Sequence, residues 1–278
     1  MNLKLIGPDP KAKIMKITIF TSNQPRHMAL IQNLACVADE IIVVMECKTN
    51  FPGQIADRIP KTPVMETYFS RVLRAEQDVF GALSFTLPNV RVLPIRAGDL
   101  NFLNMDILTP ALSSDQYVVF GSSYIKGSLS EFLVANRAKN IHMGVSPYYR
   151  GNSCNFWALY DARPDLVGAT IHLLSKGLDN GGMLFHALPE VEATDPFILG
   201  MKAVRAAHSG LVHYLSTGEL DMLSPIEQDR GQELRYTRAA DFTDEVARAY
   251  LDNHMAGADL AHALKGRDLS AYVRAYVG

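Results

Sequence analysis

Three polar residues in the middle of the chain have the types and the spacing needed to move an acyl group onto an amine: Asn140, His142 and Asp179. Because Asn140 and His142 are two positions apart, an extended strand points both side chains to one face. An amide N–H can stabilise a developing oxyanion, and an imidazole can assist it when charged or move protons when neutral. A carboxylate can orient the imidazole and accept the proton that the amine loses. The amine is itself the nucleophile, so no serine or cysteine is required for that role.

Each of these residues also has an ordinary structural interpretation. Asn140 follows a predicted helix, and asparagine commonly occurs just after a helix end. His142 can be a hydrogen-bonded core histidine. Asp179 lies in the run GLDNGG, where an aspartate before Asn-Gly suits a turn. The catalytic interpretation therefore depends on the three residues occurring together with the sequence that connects them.

The elements that must position these residues alternate along the chain. The apolar pattern predicts strands over residues 16–21, 40–47, 89–95, 116–121, 140–143 and 169–174. It predicts helices over residues 25–37, 66–80 and 128–139, the last with Ser128 and Glu131 as a capping box. Such alternation favours an α/β fold with an open, doubly wound, mostly parallel sheet. Ligands of such sheets bind beyond the carboxyl ends of the strands, where the candidate residues are expected.

The pattern changes after residue 190. Helices are predicted over residues 196–215, 242–253 and 256–264, and the stretch 223–238 is polar and rich in turn residues. We therefore predict a catalytic domain over residues 1–218 and a small, largely helical C-terminal appendage over residues 219–278.

Composition argues against several classes of function. The 278 residues carry a formal net charge of −2, whereas nucleic-acid binders usually show a basic excess. A hydrophobic share of 48% excludes wholesale disorder. No apolar run reaches the ~18 residues of a membrane span, and the N-terminus lacks the apolar region of a secretory signal. Cys36, Cys47 and Cys154 form no close pair, so we expect no disulfide framework, no metal site and a cytoplasmic location.

An ordered set of short motifs resembles the folate-dependent formyltransferase family. In chain order these are Asn140-Ile141-His142, Pro147, Arg150-Gly151, Ala158, Gly168, Thr170, Asp179 and Gly181. The family includes methionyl-tRNA formyltransferase, glycinamide ribonucleotide formyltransferase and the sugar N-formyltransferases. The similarity is continuous over residues 115–186 and weaker back to residue 16. It implies the glycinamide ribonucleotide formyltransferase fold, 10-formyltetrahydrofolate as donor, and Asn140, His142 and Asp179 as the catalytic residues.

The resemblance also implies where the two substrates bind. For the folate it points to one segment after the fourth strand and to the loop around Asp179, namely Gly121, Ser122, Ser123, Tyr124, Ile125, Gly177, Leu178 and Asn180. For the acceptor we expect contacts from the start of the first helix and from an aromatic turn, namely Asn23, Arg26, His27, Tyr148, Tyr149 and Arg150. The start of the first helix can bind a phosphate, or it can be an ordinary capped and solvated helix start.

The chain departs from the family pattern at several positions. Residues 143–146 read Met-Gly-Val-Ser where the family often has Pro-Ser-Leu-Leu, and Asn180 replaces a threonine. The loop shape and the acceptor contacts are therefore expected to differ. Trp157 is expected to be a core residue, and His172, in the sixth predicted strand, to be structural.

The acceptor is predicted from the aromatic turn and from the tail. The turn Pro147-Tyr148-Tyr149-Arg150-Gly151 resembles the sugar N-formyltransferases, which act on nucleotide-linked amino sugars in glycan biosynthesis and are often dimers. We therefore expect a nucleotide-linked amino sugar as acceptor and a homodimer. A methionyl-tRNA formyltransferase is the alternative, although the tail is too short and helical for the β-barrel that such enzymes carry. A catalytically silent module that binds folate or a nucleotide is a third possibility.

Overall fold

The structure is a computed structural model, and it describes residues 15–50, 52–56, 59–81, 87–177 and 179–278. The strands in these ranges are β1 (Lys16–Ser22), β2 (Glu40–Cys47), β3 (Val90–Arg96), β4 (Gln116–Phe120), β5 (Lys139–His142), β6 (Tyr149–Gly151), β7 (Ala169–Leu173), β8 (Met183–Leu188), β9 (Arg235–Thr237) and β10 (Tyr276–Val277). The helices are α1 (Pro25–Ala35), α2 (Pro63–Phe80), α3 (Met105–Leu108), α4 (Gly127–Ala135), α5 (Cys154–Tyr160), α6 (Pro196–Ser216), α7 (Asp244–Asn253) and α8 (Gly257–Lys265).

Eight strands form one central sheet in the order β10-β8-β7-β5-β4-β1-β2-β3. Along this order, the five strands β5, β4, β1, β2 and β3 run parallel to one another, and β10 is parallel to β8. β7 is antiparallel to both of its neighbours, β5 and β8. β6 and β9 form a second, two-stranded sheet. The predicted α/β fold with an open, mostly parallel sheet is confirmed.

Both faces of the sheet are covered by helices because its central strands are apolar on both sides. Ile19 faces a cluster that includes Leu34 of α1 and Leu211 of α6. Its neighbour Phe20 faces the opposite cluster, which includes Leu129 and Leu133 of α4. Successive side chains of a strand point to opposite faces, so a run such as KITIFT contributes to both layers.

The predicted capping box at Ser128 is wrong. α4 begins at Gly127, its N-cap is Lys126, and no side chain caps it. The helix also ends early, at Ala135, and Arg137 then adopts a positive φ of 52°. This left-handed residue reverses the chain so that β5 can begin at Lys139. The interpretation of Asn140 as a helix-ending residue is therefore also wrong.

The tail after residue 218 contains helices α7 and α8, as predicted. It also contributes strands to both sheets and side chains to the apolar core. β10 extends the central sheet beside β8, and β9 pairs with β6. α7 and α8 contribute Tyr250, Leu260 and Leu264 to an apolar cluster that also contains Tyr68 of α2 and Phe197 of α6. The predicted boundary at residue 218 therefore runs between segments that share two sheets and one core.

Candidate active site

The antiparallel pairing of β5 with β7 places the first two candidate residues. Asn140 is the partner of His172, and His142 is the partner of Thr170. Ile141, between them, points the other way into the apolar cluster that contains Ile171. The predicted placement of Asn140 and His142 on one face of a strand is confirmed.

Asp179 reaches the same face from the loop between β7 and β8. Its φ is 46°, in the left-handed region that few residues other than glycine adopt. Its Oδ1 accepts a hydrogen bond from Asn140 Nδ2 at 3.2 Å, and its Oδ2 lies 3.3 Å from Nδ1 of His142. The structure thus brings the three predicted catalytic residues into direct contact although 39 positions separate Asn140 from Asp179.

The His142–Asp179 contact is an ion pair in a buried site. Burial disfavours the charged imidazole, but the Asp179 carboxylate outweighs it and raises the pKa of His142 well above its ordinary value. Burial acts on Asp179 in the opposite sense, and His142 outweighs it there too, so the pKa of Asp179 lies far below its usual range. Nε2 of the resulting imidazolium donates to the Tyr149 carbonyl at 3.3 Å.

His172 is a further residue of this site, although we expected it to be structural. Its Nδ1 lies 2.8 Å from the Leu173 carbonyl oxygen, which can only accept a hydrogen bond. The ring therefore carries its proton on Nδ1, and Nε2 accepts from Asn140 Nδ2 at 3.0 Å. Both hydrogens of the Asn140 amide are thus engaged, one by His172 and one by Asp179. Thr170 and His172 repeat the two-residue spacing of Asn140 and His142, and that signal was available in the sequence.

The loop that follows His142 is held by Thr170. The Thr170 hydroxyl donates to the Gly144 carbonyl at 2.7 Å and accepts from the Ser146 amide at 2.8 Å. A Cβ on Gly144 would lie 2.5 Å from Cβ of Cys154 and 2.9 Å from Nε2 of His142. The loop differs from the family pattern in sequence, and these contacts explain how it still keeps His142 in place.

A cavity of about 670 Å³ opens onto the three catalytic candidates. It is also lined by the residues predicted to contact folate that follow β4 and by one from the Asp179 loop, namely Gly121, Ser122, Ser123, Tyr124, Ile125 and Gly177. Asn180 does not line it. Its Oδ1 accepts from Arg230 at 2.8 Å and from Arg150 at 3.4 Å. Leu178 lies outside the described residues.

The segment after β4 is fixed by contacts from three directions. Lys48 Nζ donates to the Gly121 carbonyl at 2.6 Å. The buried Glu46 carboxylate accepts from the Ser123 amide. The Tyr124 hydroxyl donates to the Lys176 carbonyl at 2.8 Å, which joins this segment to the Asp179 loop. The two segments therefore form one preformed wall of the cavity.

At the start of α1, Asn23 and Arg26, both predicted to bind a phosphate, form hydrogen bonds or an ion pair with other residues of the protein. Asn23 is buried, where it donates to the Thr49 carbonyl at 2.6 Å and accepts from the Lys48 amide at 2.9 Å. Arg26 forms an ion pair with the buried Glu76. His27 is buried, and burial lowers its pKa well below the ordinary value. Arg26 and His27 line the cavity, whereas Asn23 does not.

Most of the aromatic turn lies outside the cavity wall, and of its residues only Gly151, at its end, lines the cavity. Its residues Tyr148, Tyr149 and Arg150 are absent from the lining. The Tyr149 hydroxyl donates to Asp161 Oδ2 at 3.1 Å, and Arg150 pairs with Glu233 at 2.9 Å. The structure thus ties the side chains of Tyr149 and Arg150 to other parts of the protein, and the turn meets the catalytic candidates only through the Tyr149 carbonyl, which accepts from His142.

The second wall of the cavity is aromatic, and the sequence patterns did not single it out. It is formed by rings from α2, α5, α6 and the segment around α7, namely Tyr68, Phe69, Phe156, Phe197, Phe242 and Tyr250. Tyr68 has its ring centroid within 5.0 to 6.3 Å of the other five. Trp157 does not line the cavity and is buried beneath Arg235, which confirms its prediction as a core residue.

The residues that the structure describes contain neither a cluster suited to a metal ion nor a helix that could span a membrane. Among them, no group of three or more His, Cys, Asp or Glu side chains has an arrangement that could hold a metal ion. None of the helices within the described ranges is long and apolar enough to cross a membrane.

Comparison with known sequences gives partial matches. No family model matches the chain. Methionyl-tRNA formyltransferase of Anaeromyxobacter dehalogenans (strain 2CP-1 / ATCC BAA-258) is 29% identical over 123 residues, which are 44% of this chain. The corresponding protein of Anaeromyxobacter sp. (strain K) is 28% identical over 123 residues. The match spans 39% of the length of these relatives.

Comparison with solved structures decides the fold. A 4-N formyltransferase from Francisella tularensis matches with a TM-score of 0.52 and 16% identity, over 83% of this chain and 79% of that chain. The fold is that of the folate-dependent formyltransferases. Glycinamide ribonucleotide transformylase 1 from Symbiobacterium toebii has the same formyltransferase fold, with a TM-score of 0.51 and 16% identity over 83% of this chain and 99% of that chain.

A third structure with the formyltransferase fold is WlaRD, a sugar 3N-formyltransferase solved in the presence of dTDP and 5-N-formyl-THF. It matches with a TM-score of 0.51 and 14% identity, over 86% of this chain and 78% of that chain. The fold implied by the motif resemblance is therefore confirmed. The meeting of Asn140, His142 and Asp179 is a separate observation, made in this structure itself.

Proposed function

We propose that this protein transfers the formyl group of 10-formyltetrahydrofolate to the primary amine of a small acceptor. The observation that carries the proposal is the contact of Asn140, His142 and Asp179 within one cavity, on the formyltransferase fold. This acyl transfer needs an N–H group that donates a hydrogen bond to the oxyanion, a charged imidazole and a carboxylate.

The amine attacks the formyl carbon and forms the new C–N bond, which leaves an oxyanion on a tetrahedral carbon. N–H groups of Asn140 and of the His142 imidazolium donate to that oxyanion. Asp179 holds His142 and relays the proton that the amine loses. The bond to N10 of the folate then breaks, and N10 gains a proton. Because both Asn140 hydrogens are engaged, the formyl oxygen takes over the contact that Asn140 makes with Asp179. Both N–H groups of the imidazolium are engaged as well, so Nε2 of His142 exchanges the Tyr149 carbonyl for the oxyanion while Nδ1 keeps its contact with Asp179.

The folate is proposed to lie against the wall formed by the segment after β4 and by Gly177. A cavity of about 670 Å³ is within the usual range for a bound small molecule. Contacts from Lys48, Glu46 and Tyr124 hold this wall in place before the donor arrives. The donor supplies the activated formyl group, and this chain supplies its orientation.

For the acceptor we propose a nucleotide-linked amino sugar. One similar structure is that of a sugar 3N-formyltransferase solved in the presence of dTDP. Another is described as a 4-N formyltransferase. The aromatic wall supports the proposal, because ring faces bury the C–H surface of a sugar ring favourably. Methionyl-tRNA is the second candidate, supported by the 29% sequence match.

A screen for formyl transfer tests the proposal. The protein is incubated with 10-formyltetrahydrofolate and a panel of nucleotide-linked amino sugars, and mass spectrometry detects acceptors that gain one formyl group. Formylation of initiator methionyl-tRNA alone, weakened by added salt, would favour the second candidate. Donor binding without transfer to any amine would favour a silent binding module.

Substitutions at the site complete the test. Asn140→Ala and His142→Ala are each expected to lower kcat by about 10²–10³-fold, because each removes an oxyanion donor. His262→Ala, a change of an exposed histidine in α8, is the control and is expected to leave kcat unchanged. Near-normal turnover in folded Asn140→Ala and His142→Ala proteins would exclude this site.

A further inference from the structure

One segment of the tail crosses the Asp179 loop. We name residues 225–237 the strap. At its start, Ile226 and Met183 exchange two backbone hydrogen bonds of 2.7 and 2.9 Å, which lays the strap beside β8. At its end, β9 pairs with β6. The middle of the strap therefore passes over the loop that connects β7 with β8.

Gln228 is the strap residue that contacts the backbone beside the catalytic carboxylate. Its Nε2 donates to the Asp179 carbonyl at 2.8 Å and to the Gly181 carbonyl at 2.9 Å. The two N–H groups of its amide thus donate to the two carbonyls on either side of Asn180. Every other residue from 224 to 232 is exposed, whereas Gln228 is half-buried. Its side chain is therefore directed at the loop and away from solvent.

The Asp179 loop needs such support. Asp179 has a φ of 46°, a left-handed conformation that aspartate adopts more often than most residues with a Cβ but that still costs free energy, so contacts from its surroundings help to keep it. The direction of its carboxylate, and so its reach to His142 and Asn140, depends on that backbone conformation. Arg230 adds a second contact from the strap, with Nη2 donating to Asn180 Oδ1 at 2.8 Å.

We propose that Gln228 is a positioning residue for formyl transfer: by bonding the carbonyls of Asp179 and Gly181, it holds the Asp179 carboxylate against His142 and Asn140. This rests on the proposed function of the site. It gives the C-terminal tail a role in the reaction, because the tail supports a catalytic group that lies earlier in the chain, at Asp179. Gln228 itself lies outside the cavity lining and acts only through Asp179.

The test replaces Gln228 with methionine, which keeps the length of the side chain and removes both donors. With the loop no longer held, Gln228→Met is expected to lower kcat by roughly ten- to a hundredfold, as small misplacements of catalytic groups do. The KM values for donor and acceptor are expected to stay unchanged. Gln232→Met is the matched control, because Gln232 is exposed on the same strap and bonds Asp229 within its own turn.

A second measurement does not depend on activity. The pKa of His142, followed by NMR titration of its ring, is expected to fall toward its ordinary value in Gln228→Met, because the Asp179 carboxylate no longer stays beside it. The other titratable groups near His142 are Cys154, His172 and His186, and the substitution leaves all three in place. Gln228→Ala is the second variant if the methionine protein does not fold.

The outcomes are distinct. Unchanged kcat in a folded Gln228 variant would overturn the proposal, and so would a lower kcat with an unchanged His142 pKa, because the loss would then not act through Asp179. If the wild-type protein formylates no amine, the proposed function fails. The His142 titration then still decides whether Gln228 holds the Asp179 carboxylate.

Discussion

At the scale of single residues, the site is organised around one buried ion pair. Asp179 raises the pKa of His142, and His142 lowers the pKa of Asp179. Stability from a raised histidine pKa is fully present below the ordinary value of 6.5 and is lost as pH rises through the folded value. Stability from a lowered aspartate pKa is present above 3.8 and is lost as pH falls toward the folded value. The pair therefore stabilises the protein across neutral pH.

The same pair sets the pH dependence of the reaction. We expect kcat/KM to fall at alkaline pH, as His142 loses the proton that it needs as an oxyanion donor. Asp179→Asn removes the charge that raises the pKa of His142, so the alkaline limb of the pH–rate profile is expected to move to lower pH. An alkaline limb that stays in place in Asp179→Asn would show that His142 is not the group that titrates.

His172 extends the site by one hydrogen bond. Its Nε2 accepts from Asn140, so we expect His172→Leu to free the Asn140 amide and to lower kcat by roughly ten- to a hundredfold. His172→Gln keeps an acceptor oxygen on the side chain and is expected to recover part of the rate. Steady-state kinetics of the two variants check this. Equal rates in the two variants would mean that His172 only fills space.

At the scale of elements, the return from β7 to β8 is so tight that it requires glycine at position 181. A Cβ there would lie 1.7 Å from the Leu173 carbonyl oxygen, which belongs to the backbone and cannot turn aside. The Asp179 loop is thus pressed against the end of β7. This close approach and the left-handed conformation of Asp179 occur in the same short turn.

We therefore expect Gly181→Ala to destabilise the protein by about 1–3 kcal/mol or more, because β7 or the loop must shift. Denaturant unfolding measures the change. Gly200→Ala is the control, since a Cβ on Gly200 meets no atom within 4 Å and alanine favours a helix over glycine. The two substitutions are expected to change stability in opposite directions. A stable Gly181→Ala protein would contradict the close approach at this turn.

At the scale of the whole molecule, the tail is part of the structure that surrounds the site. It adds β10 to the central sheet and β9 to the second sheet. It also adds Tyr250, Leu260 and Leu264 to the apolar cluster behind the aromatic wall. If the tail were an independent appendage, residues before position 219 would themselves pair with β8 and cover this apolar cluster. Here residues of the tail do so.

Truncation after Gly218 tests the proposed division of the chain. Removal of residues 219–278 uncovers Tyr68 and Phe197 and leaves the edge of β8 without β10. We expect the truncated protein to lose its cooperative thermal transition or to aggregate, because its apolar cluster is exposed to water. Circular dichroism and size-exclusion chromatography follow this. A truncated protein that melts like the full chain would show that residues 219–278 are an independent appendage.

The local sequence determined the fold class and the catalytic candidates. Strand and helix periodicity depends on neighbouring residues, and the spacing of Asn140 and His142 places both on one face of any strand. Only the tertiary structure decided what meets them. The partnership of Asn140 with His172 depends on the register of β5 with β7, and the contact of Gln228 with Asp179 joins positions 49 apart. Both arise from packing between distant segments, which no local pattern encodes. The same packing binds the Asn23 amide to the Thr49 carbonyl and the Tyr149 hydroxyl to Asp161, so neither side chain lines the cavity.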